Sequence, residues 1–251
     1  MSDHSDLARL ISSDAPGTWP PDVIWAVFRH IMDRHAPLTG MDKALAPFEP
    51  VFMEVLSKIA DEHTLFKARY FRDESGTPLV NPLNIEHLTR LLHPFTRRLF
   101  LEKAPEALLD CLFAVSKSYC GLNLFYRTEE IDLFVPQHAL GSVIGYCEFG
   151  PFIVMHQNCN IGHNHGRYPS IEGGLWMGPS SSILGGCKVG RNVRMATGAM
   201  VIDRDIPDDV IVFGIGRDVR FKANTQDNRL MILDESRLTD VRRFPAERHP
   251  P

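Results

Sequence analysis

The segment FVPQHALGSVIG, Phe134 to Gly145, places His138 between a proline and a glycine-closed run of small and apolar residues. A single imidazole suits proton transfer because its unperturbed pKa of ~6.5 keeps both protonation states within reach near neutral pH. A base held in place contributes roughly 10²–10⁴ in rate. Further along, HNHGRYPS gathers His163, His165, Arg167 and Tyr168 within residues 163–170. Together with His138 and His156, these histidines are enough in number for a three-histidine zinc site, so metal-assisted hydration stands beside proton transfer as a second chemistry. The plain structural alternatives are a surface histidine and a solvated loop.

The elements that would carry these residues change character near residue 120. From Ile171 the chain reads IEGGLW, MGPSSS, ILGGCK, VGRNVR, MATGAM, VIDRDI, ending at Ile206, with an apolar residue opening every hexad. Neither a 3.6-residue helix nor a two-residue strand alternation predicts this. A coil of short strands does, each hexad giving one flat side whose opening residue points into a narrow prism, with glycine and small residues at the corners. The reading is a parallel β-helix over residues 119–222. FGPFIV and MHQNCN (149–160) extend the pattern, whereas LFYRTE and EIDLFV (124–135) place Glu130 at an inward-looking position. HNHGRYPS interrupts the count, which marks it as a loop projecting from the coil.

Residues 1–118 read as helical. TWPPDVIWAVFRHIMDRH has Thr18 as a cap, prolines in the first turn and apolar residues at helical spacing. FEPVFMEVLSKIADEH, NIEHLTRLLHPFTRRLFL and PEALLDCLFAVSKSYC repeat the pattern, and the Gly and Pro of RDESGTPLVNP mark a connection. Residues 223–251 are charged and end in Pro-Pro, which reads as a C-terminal tail with a short helix. The fold class expected is α+β, an N-terminal α-helical domain followed by the coil.

Composition narrows the partners. The 251 residues are 44% hydrophobic and 23% charged, with a formal net charge of −4. Nothing suggests the clustered Lys and Arg that nucleic acids or anionic membranes favour, so neither partner is expected. No apolar run reaches the ~20 residues of a spanning helix, and MSDHSDLARL lacks the basic-then-apolar order of a signal peptide, so the expected location is cytoplasmic. The five scattered cysteines, Cys111, Cys120, Cys147, Cys159 and Cys187, have no CxxC pair and read as reduced thiols.

LNLFYRTEEIDLFVPQHALGSVIGY, NIGHNHGRYPSI and MGPSSSILGGCKVGRNVRMATGAMVIDRDIPDDVIVFGIG together resemble the bacterial serine O-acetyltransferases, which have a helical N-terminal domain and a left-handed hexapeptide β-helix. The resemblance implies that His138 is the general base, that acetyl-CoA is the co-substrate and that no metal takes part. It implies a homotrimer or dimer of trimers, with acetyl-CoA in the groove between neighbouring coils, along Gly162, Gly178, Ser180 and Gly198, and its phosphates near Arg217 or Lys222. It also implies acceptor contacts from Gln137, Arg167, Tyr168 and Asp73, the last in FRDESGTPL, where an ordinary turn aspartate is the alternative.

The departures from that family are informative. Asn123 stands where the resemblance puts the aspartate that orients the histidine, Gln137 for the aspartate before it, Tyr146 for a glutamate and Tyr168 for a loop histidine. An asparagine carbonyl can accept the imidazole N–H but cannot stabilise the imidazolium by charge. The expected acceptor is therefore serine or a serine analogue. Sugar or antibiotic acetylation, γ-type carbonic anhydrase chemistry and a non-catalytic role are the competing readings. Pro250 and Pro251 end the chain where the family commonly presents an isoleucine to cysteine synthase, so no such docking through the C-terminus is expected.

Overall fold

Prolines in the first turn and the spacing of Ile24, Val27, Phe28 and Ile31 produce helix α1 (Pro21–His35), whose apolar stripe is buried. Short α2 (Met41–Leu45) leads through a 3₁₀ turn into α3 (Glu49–His63); α4 (Ile85–Leu101) and α5 (Glu106–Ser118) complete the helical region. The computed structural model describes residues 19–238. Thr18, expected as a cap, lies outside the described residues, and Pro20 stands at the start of α1 without a side-chain cap. Trp25, Phe28, Phe52 and Phe95 interlock with ring centroids 4.7 to 6.0 Å apart, Trp25 and Phe28 stacked and the other pairs tilted or edge-on, and form the centre of the helical core.

From Leu122 the chain winds through short strands that stack into three sheets. All of the pairings are parallel except Val210–Phe213 with Arg220–Ala223, which turns back antiparallel at the end of the coil. The hexad-opening residues Ile171, Met177, Ile183, Val189, Met195 and Val201 are all buried. They stack in columns, with Met155, Met177, Met195 and Val212 in one register and Ile144, Ile161, Ile183 and Val201 in another. The corners leave little room between successive coils. A Cβ on Gly178 would lie 2.6 Å from the Met195 carbonyl oxygen, so the side chain there must be absent.

Two expectations meet a different structure. Glu130 does not point into the prism: its carboxylate takes the Lys58 ammonium of α3 at 2.5 Å, and Ile131 is the buried residue. The helical region covers the first coil and supplies a cation, so an acidic residue is accommodated at that edge. The tail expected over 223–251 is packed as far as residue 238. Asn228 is buried and donates through Nδ2 to the carbonyls of Gly174 and Val193, both at 2.9 Å. Leu233 is buried against Phe66, and Asp234 pairs with Arg72 at 2.6 Å. This segment straps the coil to the loop after α3. Residues 239–251, with Pro250 and Pro251, lie outside the described residues. Among the described residues no helix is long and apolar enough to cross a membrane.

Candidate functional site

The register shows why His138 stands apart. Between the inward residues Met155 and Ile161, Met177 and Ile183, and Met195 and Val201 the chain advances six residues, whereas Pro136 to Ile144, which occupy the same columns, takes eight. The corner therefore holds Gln137 to Gly141 where later coils hold His156–Asn158, Gly178–Ser180 and Ala196–Gly198. Gly141, Asn158, Ser180 and Gly198 have left-handed φ values at this column, and the enlarged corner adds a second at His138, with φ 53°. A non-glycine residue there costs on the order of 1 kcal/mol or more, which surrounding contacts must offset.

Those contacts come from the helical region. Asn84 caps α4 by accepting from the backbone N–H groups of Glu86 (2.9 Å) and His87 (3.4 Å). Glu86, in the first helical turn, accepts the His138 backbone N–H at 3.1 Å through Oε1, and the same oxygen lies 3.1 Å from Nδ1 of the ring. One turn further on, Arg90 donates to the Phe134 carbonyl and, at 2.5 Å, to Glu62 of α3. Its guanidinium is buried over the rings of Phe66 and Phe71. The Glu86–Arg90 face of α4 thus docks both ends of the strand-and-corner segment Phe134–His138.

The other expected residues divide among three places. Gly178, Ser180 and Gly198 share the His138 corner column, and the 3₁₀ turn carrying Arg217 lies beside the strand Met200–Ile202. Lys222 pairs with Ile211 on a different sheet. Gly162, Arg167 and Tyr168 sit at the opposite end of the Ser142–Ile144 sheet. There Arg167 is paired to Asp203 at 2.7 Å, Asn164 donates to the same carboxylate at 2.6 Å, and Gly186 N–H donates to its other oxygen at 2.9 Å. The Gly186 N–H, the Asn164 amide and then Arg167 hold the Asp203 carboxyl below the usual range. Tyr168 meets Tyr146 edge-on at 5.2 Å and His163 at 5.6 Å, and both tyrosines are exposed.

Asn123 lies in the strand Leu122–Leu124 opposite Val143, and no hydrogen bond joins it to His138 among the described residues. Gln137 has a buried side-chain oxygen without a hydrogen-bond partner. Asp73 is engaged in its own turn, accepting from the Ser75 hydroxyl (2.6 Å) and from the N–H groups of Ser75 and Thr77 (2.9 Å each), which lowers its pKa. His156 turns Nδ1 to the Met177 carbonyl at 3.0 Å. Among the described residues no three His, Cys, Asp or Glu side chains come together at metal-ligand spacing. Glu86 and Asp203 were not singled out in the sequence. The signal available for the first was the eight-residue step from Pro136 to Ile144, which announces a corner needing outside support.

No protein-family model matches the chain. It is 27% identical over 117 residues to the galactoside O-acetyltransferase of Lactococcus lactis subsp. lactis (strain IL1403), a match covering 43% of this chain and 52% of that protein, so the chain spans about half the length of its curated relative. The structure superposes on the serine acetyltransferase of Brucella abortus strain S19 with a TM-score of 0.63 and 19% identity, covering 89% of this chain and 91% of the other. A serine acetyltransferase in complex with CoA gives a TM-score of 0.60 at 16% identity, over 78% of this chain and 84% of that one. Helices followed by a stacked coil therefore constitute the fold of the serine acetyltransferases, a helical region followed by a hexapeptide-repeat parallel β-helix.

Proposed function

We propose that the protein is an acetyl-CoA-dependent O-acetyltransferase for the hydroxyl of a small acceptor, with His138 as general base. The observation that carries the reading is His138 itself, whose side chain is 76% exposed on an enlarged corner and backed by a carboxylate, in a fold shared with acetyltransferases. Nε2 takes the acceptor's hydroxyl proton as the oxygen attacks the thioester carbonyl carbon. The tetrahedral adduct then collapses with cleavage of the C–S bond, and the proton passes from Nε2 to the leaving thiolate, giving the acetyl ester and free CoA.

The small residues Gly178, Ser180 and Gly198, one above another on the His138 corner, permit close approach of a pantetheine arm, with Gly162 and the cations Arg217 and Lys222 as further contacts. The working assembly is a trimer, alone or paired. The exposed Leu140, Val143 and Ile202, on or beside the same sheet, supply apolar surface for a neighbouring coil. The cytoplasm suits five buried free thiols.

The acceptor is a serine-like hydroxy compound bound with help from Gln137 beside His138 and, across the groove between neighbouring coils, from Arg167 at the far end of the sheet. A saccharide hydroxyl is the second reading, favoured by the exposed Tyr146–Tyr168 pair, which offers ring faces in place of the charged groups that the serine acetyltransferase resemblance leads one to expect.

The test is acceptor-dependent release of free CoA from acetyl-CoA across L-serine, other hydroxy amino acids, galactose and related sugars. His138→Ala is expected to lower turnover by about 10²-fold or more while leaving acetyl-CoA affinity nearly intact. Near-normal turnover in that variant would refute the general-base role, and release of CoA with none of the acceptors would count against the transferase reading.

A further inference from the structure

We infer that Glu86, contributed by the helical region, is the residue that positions His138 and sets its tautomer. The inference rests on the general-base reading. Its observations are separate from it. One carboxylate oxygen accepts the backbone N–H of His138 and lies 3.1 Å from its Nδ1, so the main chain of a left-handed residue is held, and its ring nitrogen is faced, from a single point.

The support itself is rigid. Glu86 is 13% exposed against 76% for His138, and its backbone N–H is capped by Asn84 in the first turn of α4. Arg90, on the same face of the helix, holds the carbonyl of Phe134 four residues before the histidine. Neither end of the segment can swing without breaking a contact to α4.

The chemistry follows from which nitrogen is covered. A carboxylate beside Nδ1 selects the tautomer with the proton on Nδ1, which leaves the Nε2 lone pair free on the exposed side. When Nε2 takes the acceptor proton, the imidazolium forms beside an anion. The amide of Asn123 could offer only a carbonyl oxygen there, and it makes no hydrogen bond to His138 among the described residues. A role that the serine acetyltransferase resemblance places on the coil is thus supplied here by a helix.

Two measurements on the full-length protein test this. Imidazole ¹⁵N NMR needs no substrate: the unmodified protein should show neutral His138 with the proton on Nδ1, the isosteric Glu86→Gln should show a mixture of tautomers, and Asn123→Ala should leave the signal unchanged. With acetyl-CoA and whichever of L-serine and galactose releases CoA, Glu86→Gln should lower kcat by about 10²-fold with both KM values within about twofold, and Glu86→Asp should recover part of the loss. An unchanged tautomer in Glu86→Gln overturns the inference, as does a raised acceptor KM at unchanged kcat, which would make Glu86 an acceptor-binding group. If His138→Ala instead retains turnover, the base assignment fails while the NMR result still decides whether Glu86 governs the ring.

Discussion

In the β-helix the interior repeats: one aliphatic or methionine side chain per hexad stacks on its equivalent in the next coil, and each is buried among near copies of itself. The helical region has no such repetition. Its interior combines interlocked aromatic rings with the buried Arg90 and the histidines His63, His87 and His93. Repetition spreads stability over many equivalent contacts, whereas the helical region concentrates it in a few groups that have no substitutes. The groups facing His138 come from this second, less redundant part.

Removing Arg90 should expose that contrast most sharply. Arg90→Ala leaves Glu62 buried without its guanidinium and the Phe134 carbonyl without its donor, and the expected loss is about 3–5 kcal/mol in denaturant unfolding. A loss below about 1 kcal/mol would mean that the helical region is as forgiving as the coil.

Acid provides the next test. Burial, first, and the nearby Arg90 lower the pKa of His63 to about 2 and of His87 to about 4, and burial lowers that of His93 to about 4. The unfolded chain takes up these protons from ~6.5 downward while the folded one does not. Their contribution is complete above that value and declines as pH falls, by about 1.4 kcal/mol per pH unit for each histidine. All three lie on α3 and α4, so urea titrations at pH 7 and pH 5 followed by helical circular dichroism should show the helical region weakening first. Equal midpoints at the two pH values would contradict the burial of these rings in neutral form.

The smallest effect is expected inside the coil. Ile183→Val removes one methyl group from a column in which Ile161 and Val201 close in from either side, at a cost of about 0.5–1.5 kcal/mol. A cost comparable to that of Arg90→Ala would show that the columns are as unforgiving as the helical core.

What the sequence allowed one to read follows the same division. The hexad phase identified the inward residues from Phe149 to Val201, because in a coil the environment of a residue is set by its place in a short repeat. The helices were legible through their apolar spacing. Groups facing each other across the two regions were not. Glu86 looks like an ordinary acidic residue in a first helical turn, and its partner lies 52 positions away. Asn228 and Leu233 sit in a charged stretch whose composition resembles a tail, and only their contacts with Gly174, Val193 and Phe66 show that they are anchored. Glu130 broke the phase by one position because a helix, rather than another coil, covers that edge. Local periodicity carries no information about such pairings.

Two steps of the coil that are longer than six residues have a consequence for how such a molecule can change. Pro136 to Ile144 takes eight residues, and Ile161 to Ile171 takes ten where the equivalent Ile183 to Val189 takes six. Both extra lengths fall at corners, and on either side the inward columns resume in phase. An insertion within a strand would turn every following side chain to the wrong face, whereas one at a corner alters only what projects outward. Corners are therefore the positions where this architecture can be lengthened: residues can be added there, and new surface groups tried, without disturbing the stack that supports them, provided that places such as Gly178, where the next coil leaves no room for a side chain, are kept.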